Sequence, residues 1–495
     1  MMLNISNFNK IFWIIVLLGF IFILNTNPMM KPLFDIWQHI GNIDNLVYDP
    51  KANIIRTNWH GTWAFIFKIL HINDIFTYAK IIHRTQFVLD CLIIYFASKL
   101  FLSSLITQTN NNRDELISNL ALSSAIVWLT IIGTVSTFQQ AWIMWYSVNY
   151  QITLPMLFLA LALCVNSFTV RQTNSIVYLK LFVAICIFIL IYLYHAGELA
   201  YLVIYVPIFT LCFVRRRHIT SKYFIYICLG ISLIIFIAVK FYTDHIPRLV
   251  TLLNAGDVQA IFSDIKVKGN WNVLKGGNRF AANWNELYKF SVLLLGPICF
   301  LFLRKNKNIN QQVLYFLLAS LIFCFIPNFV YTAGIASLVS YDGIVNRYYF
   351  ASLVFLLLPL TMYAINDRFF LFKNPIYIVA SVFFIIIAIF IYSKFNNEKG
   401  TYYQNVKSIQ NSLYPSKVGV ILTSNDIQSV EVQINLAKSI YGEDKIFFCA
   451  EGVKSIIIRY HFRQKNVLFS RGYTYPLEEC ERIANQEGKK LILVY

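Results

Sequence analysis

Asp35 and His39 stand one helical turn apart in Phe34-Asp35-Ile36-Trp37-Gln38-His39, a polar island shortly after the first apolar run of the chain. A carboxylate at a water–lipid boundary is expensive to keep ionised unless water, a cation or a substrate meets it. Asp35 is therefore the leading functional candidate, against the plainer alternatives of a helix cap or a solvated turn acid. His39 would share its helical face, although an interfacial histidine is the simpler description. Asp44 offers a ligand for a metal or a sugar hydroxyl where the default is an exposed loop acid, and His60 is a further substrate-binding candidate. His195 and Glu198, three apart, are close enough to meet on a helix. They fit either a bound substrate or metal, or a polar interhelical pair. No Cys or His spacing typical of a metal centre occurs; a divalent metal is left open and no cofactor is assigned.

The elements that must position these residues are membrane helices. Of 495 residues 58% are hydrophobic and 13% charged, with a mean hydropathy of +0.58; a soluble domain carries roughly a quarter charged residues. The net charge of +18 would suit nucleic acid, but the basic residues cluster between apolar runs, where membrane orientation explains them and no nucleic-acid partner is expected. The apolar runs predict about eleven spans: 11–25, 86–106, 116–136, 148–166, 177–194, 197–214, 223–242, 289–303, 312–332, 347–365 and 376–393. The pair 177–214 is separated only by His195-Ala196-Gly197, and its merger would reverse everything downstream. The first run lacks a small-residue cleavage site and reads as an uncleaved helix.

Alternate short loops carry Arg113, then Arg171 and Lys180, then Arg215-Arg216-Arg217, then Arg304-Lys305 with Lys307, then Arg368 and Lys373. Lys and Arg stay cytoplasmic, so the N-terminus is expected inside and the tail outside. Segments 26–85, 243–288 and 394–495 then face outward. Within the first, Thr62–Leu70 and Ile75–Ile82 are too short to cross a bilayer and predict interfacial helices parted by His71-Ile72-Asn73-Asp74. Within the second, Arg248–Lys266 has a helical apolar stripe that runs into an Asn- and Gly-rich flap bearing Lys268, Lys275 and Arg279. Trp142, Trp145, Tyr146 and Tyr150 suit sugar stacking or, more simply, an aromatic belt.

The chain changes character near Asn396. Short buried strands are expected at Val418–Leu422, Lys445–Phe448, Asn466–Phe469 and Leu491–Val494, alternating with helices at 428–441, 451–462 and 476–487. The expected organisation is a membrane domain over 1–395 and a small extracytoplasmic α/β domain over 396–495, with no Gly-rich phosphate loop. Seven of the nine cysteines lie in apolar runs as packing residues. Cys449 and Cys480 lie in the tail, either as a disulfide or as separate buried thiols.

Three stretches together resemble the GT-C glycosyltransferases, membrane enzymes that take sugars from polyprenyl-phosphate carriers. They are the early acid in FDIWQH, the continuation NWHGTWAFIFKILHINDIFTYAKIIHRTQFVL, which looks like the interfacial segment of the bacterial subgroup that includes lipid A sugar transferases, and VNRYYFASLVFLLLPL, similar to the Arg-Tyr that opens a late helix there. The likeness spans roughly 1–395. Two departures stand out: the acid that should accompany Asp35 is Asp44 or Asp49, and the Pro-rich start before the interfacial helix is replaced by Asn58-Trp59-His60-Gly61.

The resemblance implies a polytopic GT-C fold, a polyprenyl-phosphate-linked donor, inversion at the anomeric centre, a glycan, lipid or protein acceptor, and a bacterial inner membrane. Transfer from a lipid phosphate needs a proton taken from the acceptor hydroxyl and charge offset on the departing phosphate. Asp35 suits the first task. Arg347, with Tyr348 beside it, suits the second, because guanidinium pairs bidentately with phosphate; anchoring a helix at the headgroups is its plainer role. A polymerase or ligase of lipid-linked glycans is the alternative enzyme. A transporter or flippase would need inverted repeats and mid-membrane charges, and no convincing repeat is seen.

Overall fold

The computed structural model describes residues 34–48, 58–73, 75–107, 113–128, 150–170, 172–214, 296–326, 348–369, 424–450, 458 and 477–494. The chain divides into two compact units. One comprises Ile15–Val88, Met144–Gln151 and Lys407–Tyr495, the other Met1–Ile14, Leu89–Ile143 and Ile152–Val406.

In the first unit, helix α1 (Phe34–Tyr48) buries Ile40, Ile43, Leu46 and Val47, a 3–4 spacing that makes one apolar face. It packs against α2 (Asn58–Ile69), which buries Trp59, Trp63 and Phe67 at successive turns and leaves Phe65, Ile69 and Leu70 exposed. Such a helix, apolar on both sides and too short to span, fits the interfacial position expected for Thr62–Leu70. It closes at His71, whose φ of 52° reverses the chain. Tyr78 holds that turn through its hydroxyl, which donates to the Ile72 carbonyl at 2.9 Å, and stacks on Phe67 with ring centroids 4.3 Å apart.

Helix α3 (Ile75–Leu105) then runs unbroken for 31 residues. This corrects the expectation of a separate interfacial helix at Ile75–Ile82. His83, Arg84 and Thr85 contain no helix breaker, so propagation is easier than a stop. At about 1.5 Å per residue the helix exceeds a hydrocarbon core about 30 Å thick, and tilt or protrusion must absorb the excess.

The second unit is a helical bundle built on the rest of α3. Helix α4 (Arg113–Val127) packs on α9 (Val354–Phe369); α5 (Tyr150–Thr169) and α6 (Asn174–His195) follow. The stretch after α6 is a 3₁₀ turn, Ala196–Tyr201, then α7 (Leu202–Phe209) and a π turn, Thr210–Val214. His195 leaves α6 in extended conformation, φ −161° and ψ 91°. The chain therefore breaks between the apolar stretches 177–194 and 197–214. Helix α8 (Gln311–Ala319) places Phe316 among Phe101, Tyr205, Phe209 and Phe213, while Trp128, Phe158 and Phe355 form a second aromatic knot.

Three helices, Thr77–Leu105, Gln151–Thr169 and Asn174–His195, are long and apolar enough to cross a membrane, and Gly197–Phe213, Gln311–Cys324 and Val354–Ile365 are shorter apolar helices. Beyond the first two residues of α6 the exposed side chains are themselves apolar, among them Tyr178, Leu179, Phe182, Ile185 and Ile189, as a lipid-facing helix requires. The chain is a helical membrane protein. The spans expected at 11–25, 223–242 and 376–393, with the loop 243–288, lie outside the described residues.

The basic loops meet at one end of this bundle. An isolated bridge joins Ile106 to Ile309, Arg113 donates to the carbonyls of Ser103 and Ile106, and Asn166 Nδ2 donates to Ser103 and Ser104 while its Oδ1 accepts from Lys180. Arg113, Lys180 and the loop carrying Arg304, Lys305 and Lys307 are thus gathered as the alternating charge pattern implies.

In the tail, α10 (Ser424–Tyr441) and α11 (Leu477–Gln486) flank the parallel pair β1 (Ile446–Ala450) and β2 (Lys490–Val494), with Phe448 opposite Ile492. Val430, Ile434, Ala437, Ile446 and Phe448 form its core. Both strands and both helices fall where the sequence places them; the strands at Val418–Leu422 and Asn466–Phe469 lie outside the described residues. Cys449 and Cys480 form a disulfide, with Cα atoms 6.1 Å apart, which settles the choice left open between a bridge and two thiols.

Candidate functional site

Asp35 lies in the first turn of α1, and His39 follows one turn later on the same helical face. His39 reaches across to α2, where its Nδ1 and His60 Nε2 are 2.7 Å apart and the rings stack at 4.9 Å with planes 10° from parallel. One imidazole must donate and the other accept, so the bond survives only while at least one ring is neutral. Trp59 sits edge-on to both rings. Its indole N–H donates to Gln86 Oε1 at 2.9 Å, tying α2 to α3. Asn42 and Asp44 are buried on α1, and His60, His83 and Gln86 are buried in the same unit. The expectation that Asp44 is an exposed loop acid is corrected: it is a helical residue only 2% exposed. Five polar side chains of this kind are costly to bury unless hydrogen-bonded, and the His39–His60 and Trp59–Gln86 bonds make this the polar centre of the α1–α2 pair.

A second centre lies in the other unit. Glu198, in the 3₁₀ turn, is 2% exposed and accepts from Thr153 Oγ1 at 3.1 Å and from His195 Nδ1. The anticipated His195–Glu198 meeting is therefore present, with Thr153 as an unanticipated third member. Further along the same turn, Tyr201 packs edge-on against Tyr348 at 4.9 Å, and Phe323 adjoins both rings. Tyr205 donates to the Ala351 carbonyl at 2.5 Å, fixing the turn that Tyr348 opens. Thr153 and Asn166 stand thirteen residues apart on α5, about 20 Å along the axis. Glu198 and the basic loops thus mark opposite ends of that helix.

Asp90 was not among the residues anticipated. It is fully buried in α3 and accepts from Trp128 Nε1 at 2.9 Å. Its signal was an acid inside an apolar run. Trp128 carries that bond while packing on Phe158 and Phe355, so Asp90 acts as a positioning group between helices.

The structure brings His39 to His60, His195 to Glu198 and Tyr348 to the turn that holds Glu198. The Asp35 side chain, Arg347, and the aromatic cluster of Trp142, Trp145 and Tyr146 lie outside the described residues. Among the described residues no group of three or more His, Cys, Asp or Glu side chains is arranged to hold a metal ion.

No protein-family model matches the sequence, and no curated protein matches it. Among solved structures, the crystal structure of the Archaeoglobus fulgidus oligosaccharyltransferase complex with Zn and sulfate is similar with a TM-score of 0.46 and 12% identity. That likeness covers 90% of this chain and 55% of the other, so the chain spans about half the length of that protein.

Proposed function

We propose that the protein is a GT-C-type glycosyltransferase of a bacterial inner membrane. It transfers a sugar from a polyprenyl-phosphate-linked donor to a glycan, lipid or protein acceptor on the outer face. The observation that carries this reading is the α1–α2 pair. The helix that bears Asp35 in its first turn is locked to an interfacial helix by the His39–His60 bond and by a buried polar centre. A scaffold of packed helices fixes a carboxylate better than a loop would. The motif resemblance assigns the chemistry: Asp35 takes the acceptor hydroxyl proton and Arg347 pairs with the donor phosphate. His39, His60 and Asp44 are proposed to line the substrate side of that base, together with any divalent metal the reaction uses.

The proposed topology puts the N-terminus in the cytoplasm and the 396–495 domain outside. The gathering of Arg113, Lys180 and the 304–307 loop at one end supports it, and the tail disulfide suits an oxidising compartment. The test compares lipid-linked and surface glycans, by mass spectrometry, in cells carrying the wild type, Asp35→Asn or a deletion. Loss of the same single sugar in both mutants is expected, and the missing residue names the substrate. Accumulation of complete, unaltered glycans in the deletion strain would instead indicate a polymerase or transporter.

A further inference from the structure

Lys180, in the second turn of α6, takes no part in the proposed transfer, and its surroundings lie wholly within the second unit. Its Nζ donates to Asn166 Oδ1 at 2.5 Å and to Gln172 Oε1 at 2.7 Å. Asn166 is 2% exposed and is itself anchored, its Nδ2 donating to Ser103 Oγ at 3.0 Å and to Ser104 Oγ at 2.9 Å on α3. Two amide oxygens thus orient the ammonium without neutralising it. Among the described residues no carboxylate pairs with Lys180, and the third of its N–H donors is left for a ligand. Arg113 reaches the same turn of α3 from α4, donating to the Ser103 carbonyl at 2.8 Å. Arg304, Lys305 and Lys307 are exposed on a turn fastened to the end of α3. There the Thr107 N–H donates to the Asn308 carbonyl at 2.8 Å and the Asn310 N–H to the Leu105 carbonyl at 2.7 Å. The end of α3 is therefore ringed by cations, of which Lys180 is the one set in a polar cradle.

The helix surface beside Lys180 identifies the ligand. Ile176 and Val183, one turn before and after it, are exposed, and Leu190 continues the same flank two turns further on. Leu190 stands ten residues beyond Lys180, about 15 Å along the axis, half of a hydrocarbon core about 30 Å thick. An oriented cation thus stands at the foot of an apolar strip one leaflet deep. We propose that Lys180 and the basic ring bind the phosphate headgroup of an acidic glycerophospholipid, whose acyl chain lies along Ile176, Val183 and Leu190. A phosphate oxygen accepts the third N–H of Lys180, and the exposed Lys305 and Lys307 add attraction at longer range. Asn166 and Gln172 are positioning residues. A soluble phosphate would meet the same cation but makes no use of the strip. The inference rests on the chain being a helical membrane protein and is independent of the transferase chemistry.

The experiment uses the full chain in phosphatidylcholine vesicles doped with a photoreactive probe, either phosphatidylglycerol or phosphatidylcholine carrying a diazirine on one acyl chain. Crosslinks to the peptide Asn174–His195 are read by mass spectrometry. In the wild type the phosphatidylglycerol probe is expected to label this peptide about tenfold more than the phosphatidylcholine probe, the scale of one charge-assisted hydrogen bond. Lys180→Gln is expected to lower that ratio about fivefold, the scale of one cation lost from the headgroups, while Lys180→Arg keeps most of it. Excess inorganic phosphate is expected to leave the wild-type ratio unchanged. Equal labelling by the two probes in the wild type overturns the proposal whether or not a variant folds. An unaltered ratio in folded Lys180→Gln overturns it as well, and loss of the preference to inorganic phosphate would mean a site for the bare anion instead of a lipid. None of these results bears on sugar transfer, which the Asp35→Asn comparison tests separately.

Discussion

At the scale of the residue, the His39–His60 bond and the Trp128–Asp90 bond make separate demands. His60 is 2% exposed and bonded to His39, so His60→Ala leaves the His39 nitrogen without that partner and opens a cavity beside Trp59. Both effects destabilise, by about 2–3 kcal/mol together. A lowered thermal midpoint in nanodiscs, with His60→Gln milder, is the expected result. Asp90→Ala removes the acceptor of the buried Trp128 indole and should cost about 2–3 kcal/mol by the same measurement. Trp128→Phe in the Asp90→Ala background should then add less than it does alone, the non-additivity of a shared bond. An additive pair would mean that Asp90 and Trp128 stabilise the bundle independently.

At the scale of the element, α3 separates two accounts of the segment after α2. A helix continuous from Ile75 to Leu105 cannot accept proline at Thr85, which removes a backbone donor and clashes with the preceding turn, costing about 3 kcal/mol or more. Thr85→Pro is therefore expected to cut the abundance of folded protein sharply in fluorescence-detected size exclusion. Tolerance of the proline would restore a break between an interfacial helix and a span. The same helix shows where sequence reasoning was sufficient and where it was not. Hydrophobic periodicity located α5 and α6 within a few residues, because a long apolar run has few alternatives in a bilayer. It divided α3 because hydropathy falls over His83-Arg84-Thr85-Gln86, although polar residues on a buried face do not end a helix. The His195–Glu198 pair was legible from its spacing of three, and the break at His195 from the short His195-Ala196-Gly197 separator. The His39–His60 bond was not, since 21 positions separate the two rings and only the packing of α1 on α2 joins them. Asp44 was misread because a helix end and a loop differ little in composition.

At the scale of the whole molecule, charge and redox state bear on the same question. The disulfide between β1 and α11 closes a loop with a sequence separation of 31 residues. A crosslink of that span is expected to stabilise the tail by about 3–4 kcal/mol in the chain-entropy account. Replacement of Cys449 and Cys480 by serine should make the tail more sensitive to protease. In intact cells both thiols should resist maleimide until a reductant is added, while a cysteine placed at Lys305 should react only after the membrane is made permeable. Free reaction of Cys449 and Cys480 in untreated cells, with cysteine at Lys305 labelled from outside, would reverse the proposed topology and move Asp35 to the cytoplasmic face.

The most direct test of the central claim is a transfer assay on purified protein in nanodiscs. Mixed polyprenyl-phosphate-linked sugars are the donor pool, membrane-extracted glycolipid is the acceptor, and wild type is compared with Asp35→Asn. The account predicts release of free polyprenyl phosphate and a glycosylated product with the wild type, and a fall of about a hundredfold or more in Asp35→Asn, the scale of a lost general base, at unchanged thermal midpoint. Equal turnover by the two proteins would contradict it, since a transferase that works without the Asp35 carboxylate takes its proton elsewhere.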